Sequence, residues 1–235
     1  MNNNIFTLSS DDLYHIKTVM RLKPDSLIEV VYENTAYISK LNDDFNAVII
    51  EKLKNNSENN IKRILLIPLL KEQKMDIILQ KSTELGVDEI IPVLMERSII
   101  KIDGKIEKKL ERWARILKEA SEQSKRTIIP VITKPKKISE LNELDGLKMV
   151  CSTKEKDLSI KKFLTVSKNY DKINILLGPE GGISEKEEKT LNSLGFTSVT
   201  LGNRILRAET VPMFVLSVLN YENMEWLLWL TSWTC

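Results

Sequence analysis

Two short stretches hold side chains whose types and spacing could do chemistry. The first is GPEGG, Gly178–Gly182, which follows the apolar run Ile173–Leu177. Glycines at such a place let backbone amides approach a ligand closely. The second is LGNRILRAET, Leu201–Thr210, about twenty residues further on. It sets Arg204, Arg207 and Glu209 in a loop ahead of an apolar helix, with Thr210 as a plausible N-cap and Pro212 in the first turn. Cations and a carboxylate in a loop beside GPEGG suit the stabilisation of charge that develops on a bound substrate. Each piece also has a plain structural reading: an ordinary turn between strand and helix, and arginines that bridge carbonyls at a helix start. GPEGG lacks the Gly-Lys-Ser/Thr ending of a P-loop and the G-x-G-x-x-G spacing of a dinucleotide fold. A phosphate-cradling nucleotide site is therefore disfavoured.

The elements that must position these loops can be read around them. Ser184 and Glu187 form an S-x-x-E capping box, so a helix starts just after GPEGG. Ile61–Leu70 is a continuous apolar run, as expected of a strand buried on both faces. Met75, Ile78, Leu79, Ser82 and Leu85 share a helical face that ends at Gly86. Val87–Val93, Thr127–Ile132, Leu147–Cys151 and Ser198–Leu201 read as further strands. Ile106, Leu110, Trp113, Leu117 and Ala120 mark a long amphipathic helix. The alternation predicts an α/β domain with a parallel sheet and ligand loops at the strands' carboxyl ends. The first ~55 residues read differently. A short helix over Asp11–Met20, capped by Ser9 or Ser10, precedes β-rich runs at Ser26–Tyr32, Thr35–Leu41 and Phe45–Leu53. The polar run Lys54–Asn60 reads as a linker, which puts the boundary between domains 1–57 and 58–235.

Bulk composition excludes several classes. The net charge is only +2 over 235 residues, so the global balance says little about partners. Locally, Lys101–Lys137 holds twelve basic residues against five acidic ones, a field able to hold a polyanion or simply a solvated helix with i,i+4 pairs. Two cysteines, Cys151 and Cys235, and one histidine, His15, leave no disulfide framework and no histidine-based metal site. The N-terminus lacks the pattern of a signal peptide, and no apolar run approaches a membrane span. A soluble cytoplasmic protein is expected.

GPEGG followed by LGxRILRxET resembles the signature of the SPOUT superfamily, and more narrowly of the RsmE family of 16S rRNA uracil-N3 methyltransferases. Lys71–Ser98 and Glu111–Ile132 are similar to that family's central blocks, and His15–Val30 to the entry of its N-terminal barrel. The resemblance covers nearly the whole chain, to about Tyr221. It implies a C-terminal SPOUT-type α/β trefoil-knot domain and a small N-terminal PUA-like or OB-like β-barrel that binds RNA. It implies S-adenosylmethionine as cofactor, a homodimer formed through the knotted domain, no membrane and no metal. Carried over, Leu177, Gly178, Gly181 and Gly182 would line the cofactor from one loop, and Leu201, Gly202, Ile205 and Leu206 from the second. Ser152 would open the third wall. Val211-Pro212 departs from the family, which usually has Ala after ET, and Glu222–Cys235, with Trp226, Trp229 and Trp233, matches nothing in it.

The resemblance also implies a reaction. The cofactor's methyl must be aligned with uridine N3 while N3 loses its proton. Arg207 is expected to stabilise the developing uracil anion, with Glu209 orienting it or accepting the proton. His15, in the barrel, reads as RNA-facing or locally satisfied rather than as the base. Arg21, Lys23, Arg97 and Arg126 are the expected contacts to 16S rRNA in small-subunit particles, Arg97 having the dimer as its other reading. A SPOUT enzyme with another RNA acceptor and an inactive RNA-binding module are the rival readings.

Overall fold

The computed structural model describes residues 4–54, 58–98, 100, 106–167 and 169–223. Lys101, Asp103 and Lys105 of the basic field, residues 55–57 of the linker, and Trp226, Trp229 and Trp233 lie outside the described residues. The chain divides into two compact units, Met1–Glu58 with Lys125–Ile128, and Asn59–Ser124 with Ile129–Cys235.

The first unit contains β1 (Ile5–Phe6), α1 (Ser10–Tyr14), β2 (Leu27–Tyr32), β3 (Thr35–Leu41) and β4 (Ala47–Lys52). These strands form an antiparallel sheet in the order β1-β4-β3-β2. Ser9 caps α1 by accepting the Asp12 amide. The helix expected to reach Met20 changes at His15 into a π-helical turn over His15–Val19. A small core gathers Phe6, Ala36, Leu41 and Ala47. The Phe6 ring lies 5.3 Å from that of Tyr32 and 5.4 Å from that of Tyr37. Glu58, read as part of a linker, is an anchor instead. Its carboxylate takes the Arg126 guanidinium at 2.6 Å and the amides of Thr127 and Ile128 at 2.9 and 3.1 Å. Those two amides are thereby lost to any ladder, so the strand expected over Thr127–Ile132 is only two residues long.

The second unit contains β5 (Lys62–Pro68), α2 (Glu72–Glu84), β6 (Glu89–Leu94), α3 (Ile106–Gln123), β7 (Val131–Ile132), β8 (Lys136–Lys137), β9 (Leu147–Cys151), α4 (Ile160–Val166), β10 (Lys172–Leu177), α5 (Glu185–Ser193), β11 (Thr197–Val199) and α6 (Thr210–Asn223). Its strands pair in parallel in the order β11-β9-β10-β5-β6-β7, with β8 also on β6. The fold class is thus α/β with a parallel sheet in this unit, and the first unit's sheet is antiparallel. β5 is buried on both faces from Arg63 to Pro68, as its unbroken apolar run requires. One face packs on Met75, Ile78 and Leu79 of α2, Trp113 and Leu117 of α3, and Val215, Leu216 and Leu219 of α6. The other meets Ile138, Leu141, Leu191 and Phe196. Arg63 is only 1% exposed, and its Nη1 donates to Leu85 O and to Asn220 Oδ1 at 2.5 Å. α6 begins at Thr210 itself, one residue earlier than an N-cap there would allow. Among the described residues no helix is long and apolar enough to cross a membrane.

Candidate functional site

The two chemistry-bearing loops leave the carboxyl ends of β10 and β11, and a third, from Ser152 to Ser159, leaves β9 between them. Three neighbouring strands therefore deliver three loops to one edge of the sheet, where open α/β sheets bind ligands. The loop after β9 and the end of β11 are tied together through the backbone. The Ser152 amide donates to Val199 O, Ile160 N to Thr200 O, and Thr200 N to Leu158 O.

The GPEGG loop owes its shape to glycine and to two neighbours. The Gly182 amide closes a turn on Pro179 O at 2.8 Å, with Gly182 at φ +72°. Only glycine adopts that region without strain. A Cβ on Gly181 would sit 3.0 Å from Arg97 Cβ and 3.3 Å from Arg97 O. The Arg97 guanidinium donates to Gly181 O at 3.1 Å, so Arg97 braces this loop. The capping box read from the sequence forms: Ser184 Oγ accepts the Glu187 amide, and Glu187 Oε2 accepts the Ser184 amide at 2.9 Å. The other oxygen of Glu187 accepts the Glu96 amide at 2.7 Å, which fixes the end of β6 to the same loop.

The second loop is held at its far end. Arg207 O accepts the amides of Thr210 and Val211, so the first turn of α6 positions the Arg207 backbone. The Arg207 side chain is exposed, and that of Glu209 is 17% exposed. Burial alone raises the Glu209 carboxyl. A backbone hydrogen bond at its own amide, the Lys74 ammonium and the Arg207 charge outweigh it and hold the group below its ordinary value. Lys74, in the first turn of α2, also lies 3.0 Å from Glu180 Oε1 of GPEGG and 3.3 Å from Glu209 Oε2. Sequence reading missed Lys74, although a cation in the first turn opposes the helix dipole and calls for an acidic partner.

The expected wall residues separate by side chain. Ile205 is 84% exposed, and Leu201 and Leu206 are half-buried. Gly202, at φ +114°, has nothing within 4 Å of the position its Cβ would take. The Leu177 side chain is 1% exposed and belongs to the core, so only its backbone end reaches the loop. Ser152 is half-buried, and its Oγ accepts the Lys154 amide. Among the described residues no group of His, Cys, Asp or Glu is arranged to hold a metal ion.

The expected RNA contacts separate as well. In the first unit, Arg21 and Lys23 are exposed and have no ion pair among the described residues. Arg126 departs from its expectation: its side chain is 3% exposed and is spent on Glu58, which leaves no surface for a phosphate. Part of the basic field is paired, mostly with acids from outside it. Arg112 pairs with Glu72 and Asp76, Lys118 with Glu122, Lys125 with Glu29 and Lys134 with Glu107, while Lys108 and Arg115 have no ion pair among the described residues.

Comparison with known proteins agrees with this geometry. The model of the RNA methyltransferase domain family matches residues 57–220. A Ribosomal RNA small subunit methyltransferase E from Mesomycoplasma hyopneumoniae (strain 232) is 38% identical, covering 91% of this chain and 93% of its own. A methyltransferase from Legionella pneumophila, solved with its cofactor S-adenosylmethionine, superposes with a TM-score of 0.83 at 28% identity, over 93% of this chain and 92% of its own. A Ribosomal RNA small subunit methyltransferase E from Neisseria gonorrhoeae, bound to S-adenosylmethionine, gives 0.82 at 27% identity, over 91% and 90%. The chain belongs to the RNA methyltransferase family, in the RsmE group whose signature GPEGG and LGNRILRAET resemble.

Proposed function

We propose that this chain transfers a methyl group from S-adenosylmethionine to N3 of a uridine in small-subunit rRNA, at the loops that leave β10, β9 and β11. The observation that carries the reading is the convergence of those loops on neighbouring strands, with an exposed Arg207 and an anionic Glu209 beside them. The residues present fit the cofactor. The open space at Gly202 and the exposed Ile205 offer an apolar wall to an adenine, and Gly181 and Gly182 bring backbone close to the opposite side. The bound cofactor supplies an electrophilic methyl on a sulfonium. Arg207 faces the acceptor and stabilises the charge that uracil gains as N3 gives up its proton. Glu209 Oε2 already faces the Lys74 ammonium at 3.3 Å, and its charge acts on Arg207, so Glu209 serves to orient Arg207 rather than as the base. Burial pushes the Cys151 thiol up to about 12, so Cys151 stays protonated and supplies no nucleophile.

RNA is held by Arg21 and Lys23 of the N-terminal unit, read as a PUA-like barrel, and by Arg204 near the methyl-transfer loops. The reading includes the family's trefoil knot, supported by a chain that moves from outer β9 to inner β10 and out again to β11. It also includes a homodimer through the knotted domain and a cytoplasmic small-subunit particle as substrate. The test is single-turnover methylation of small-subunit particles at saturating cofactor, with nucleoside mass spectrometry of the product. Arg207→Ala is expected to slow transfer by about a hundredfold, in the range typical of a lost charge-stabilising group. Near-normal transfer, or methyl on a ribose, would overturn the assignment.

A further inference from the structure

We propose that Lys74 is a positioning residue that latches the GPEGG loop to the LGNRILRAET loop by pairing with Glu180 and Glu209 at once, and so sets the spacing between two walls of the cofactor site. The inference rests on the reading that S-adenosylmethionine lies in these loops.

The geometry is that of one cation shared by two anions from separate loops. Lys74 Nζ lies 3.0 Å from Glu180 Oε1 and 3.3 Å from Glu209 Oε2, so those two oxygens are within about 6 Å of each other. Glu209 Oε2 is buried without a hydrogen-bond partner among the described residues, so its charge depends on the nearby ammonium. Lys74 sits on α2, whose core face carries Met75, Ile78 and Leu79, so its backbone is fixed independently of either loop. Around the shared ammonium stand Glu180 from the β10 loop and Glu209 from the β11 loop, with Arg207 adding its charge to Glu209. These carboxylates, Glu180 first, raise the Lys74 pKa above its usual 10.5, so the latch stays charged across the physiological range.

Side chains that keep 17–33% of their surface in water gain little global stability from such pairing. Its consequence is local. Without the ammonium, two carboxylates face each other across a short gap and repel, which drives the loops apart. A cofactor that must touch both loops then binds a less populated arrangement, and its apparent affinity falls by that fraction.

Calorimetric titration of the full chain with S-adenosylmethionine tests this. Lys74→Met is expected to weaken binding about fivefold, and Lys74→Arg to stay within about twofold of wild type. The decisive variant is Lys74→Met/Glu180→Gln. Removing one of the two repelling charges should recover at least half of the lost affinity, a reversal that loss of packing would not give. Wild-type affinity in Lys74→Met overturns the latch. So does Lys74→Arg behaving like Lys74→Met, or the double variant binding no better than Lys74→Met. If Lys74→Met and Gly182→Val both bind as wild type, the placement of the cofactor in these loops fails together with the latch; if only Lys74→Met does, the latch alone fails.

Discussion

Glu187 is the residue whose removal should disturb the site from outside it. Its carboxylate makes two backbone contacts that no other group replaces: one oxygen takes the Ser184 amide, the other the Glu96 amide. Glu187→Ala strands both donors. The Ser184 hydroxyl still accepts the amide of residue 187, so half of the capping box survives. Ser184 is buried, so its orphaned amide carries a full desolvation penalty of roughly 1–3 kcal/mol. Glu96 is exposed, so water can replace much of what its amide loses. The expected destabilisation is therefore roughly 1–3 kcal/mol. Glu187→Gln is informative because it keeps shape and loses half the function. One oxygen can still accept, but the new amide group points a donor at a donor, and roughly 1–2 kcal/mol should be lost. Urea unfolding followed by far-ultraviolet circular dichroism gives the total. Amide hydrogen exchange at Ser184 and Glu96 locates it, since both amides should lose protection together. A Glu187→Ala protein within 0.5 kcal/mol of wild type (roughly the noise of surface substitutions) would refute the reasoning, as would protection lost at only one of the two amides.

Two further outcomes follow from the same structure. Gly182→Val forces a β-branched residue to φ +72°, at a cost of about 1–2 kcal/mol, and should lower S-adenosylmethionine affinity about tenfold as the turn relaxes; calorimetry reads it, and unchanged affinity would mean that the turn does not shape the site. At Glu58, burial alone raises the carboxyl, but the Arg126 hydrogen bond and charge, with the Ile128 and Thr127 amides, outweigh it and hold the group below its usual 4.5. A lowered folded pKa stabilises above the unfolded value and is lost as pH falls through the folded one. The stability advantage of wild type over Glu58→Gln should therefore shrink below about pH 4.5, and urea midpoints measured across that range would show a constant gap if the pair were inert.

Much of this was legible because its causes are local. The Ser184–Glu187 capping box depends on four consecutive residues, and it forms as read. Thr35–Leu41 and Leu147–Cys151 have the bounds their apolar patterns gave. What failed depends on partners far away in sequence. Arg126 looks like a phosphate contact until Glu58 is placed against it. Thr127–Ile132 looks like a strand until the same carboxylate takes two of its amides. Lys74 carries no visible role in KEQKMD, because the acids that explain it lie in two loops more than a hundred residues downstream. The charge count along α3 left a polyanion site and a paired helix both open, and it could not show that Arg112 is answered from α2.

The position of β10 has a consequence for how the protein is made. It lies between β5 and β9, and its pairing with β5 joins residues about 110 apart in the chain. A ribosome synthesising this protein must therefore release β5, α2, β6 and α3 long before the strand that joins β5 to β9 exists. Until then one side of β5, apolar along most of its length, waits unpaired. Such an edge is a template for wrong partners, and slow non-local pairing prolongs its exposure. The GPEGG and LGNRILRAET loops emerge only after β10, so cofactor cannot assist the early steps of folding, and truncated chains ending before Leu177 should be aggregation-prone.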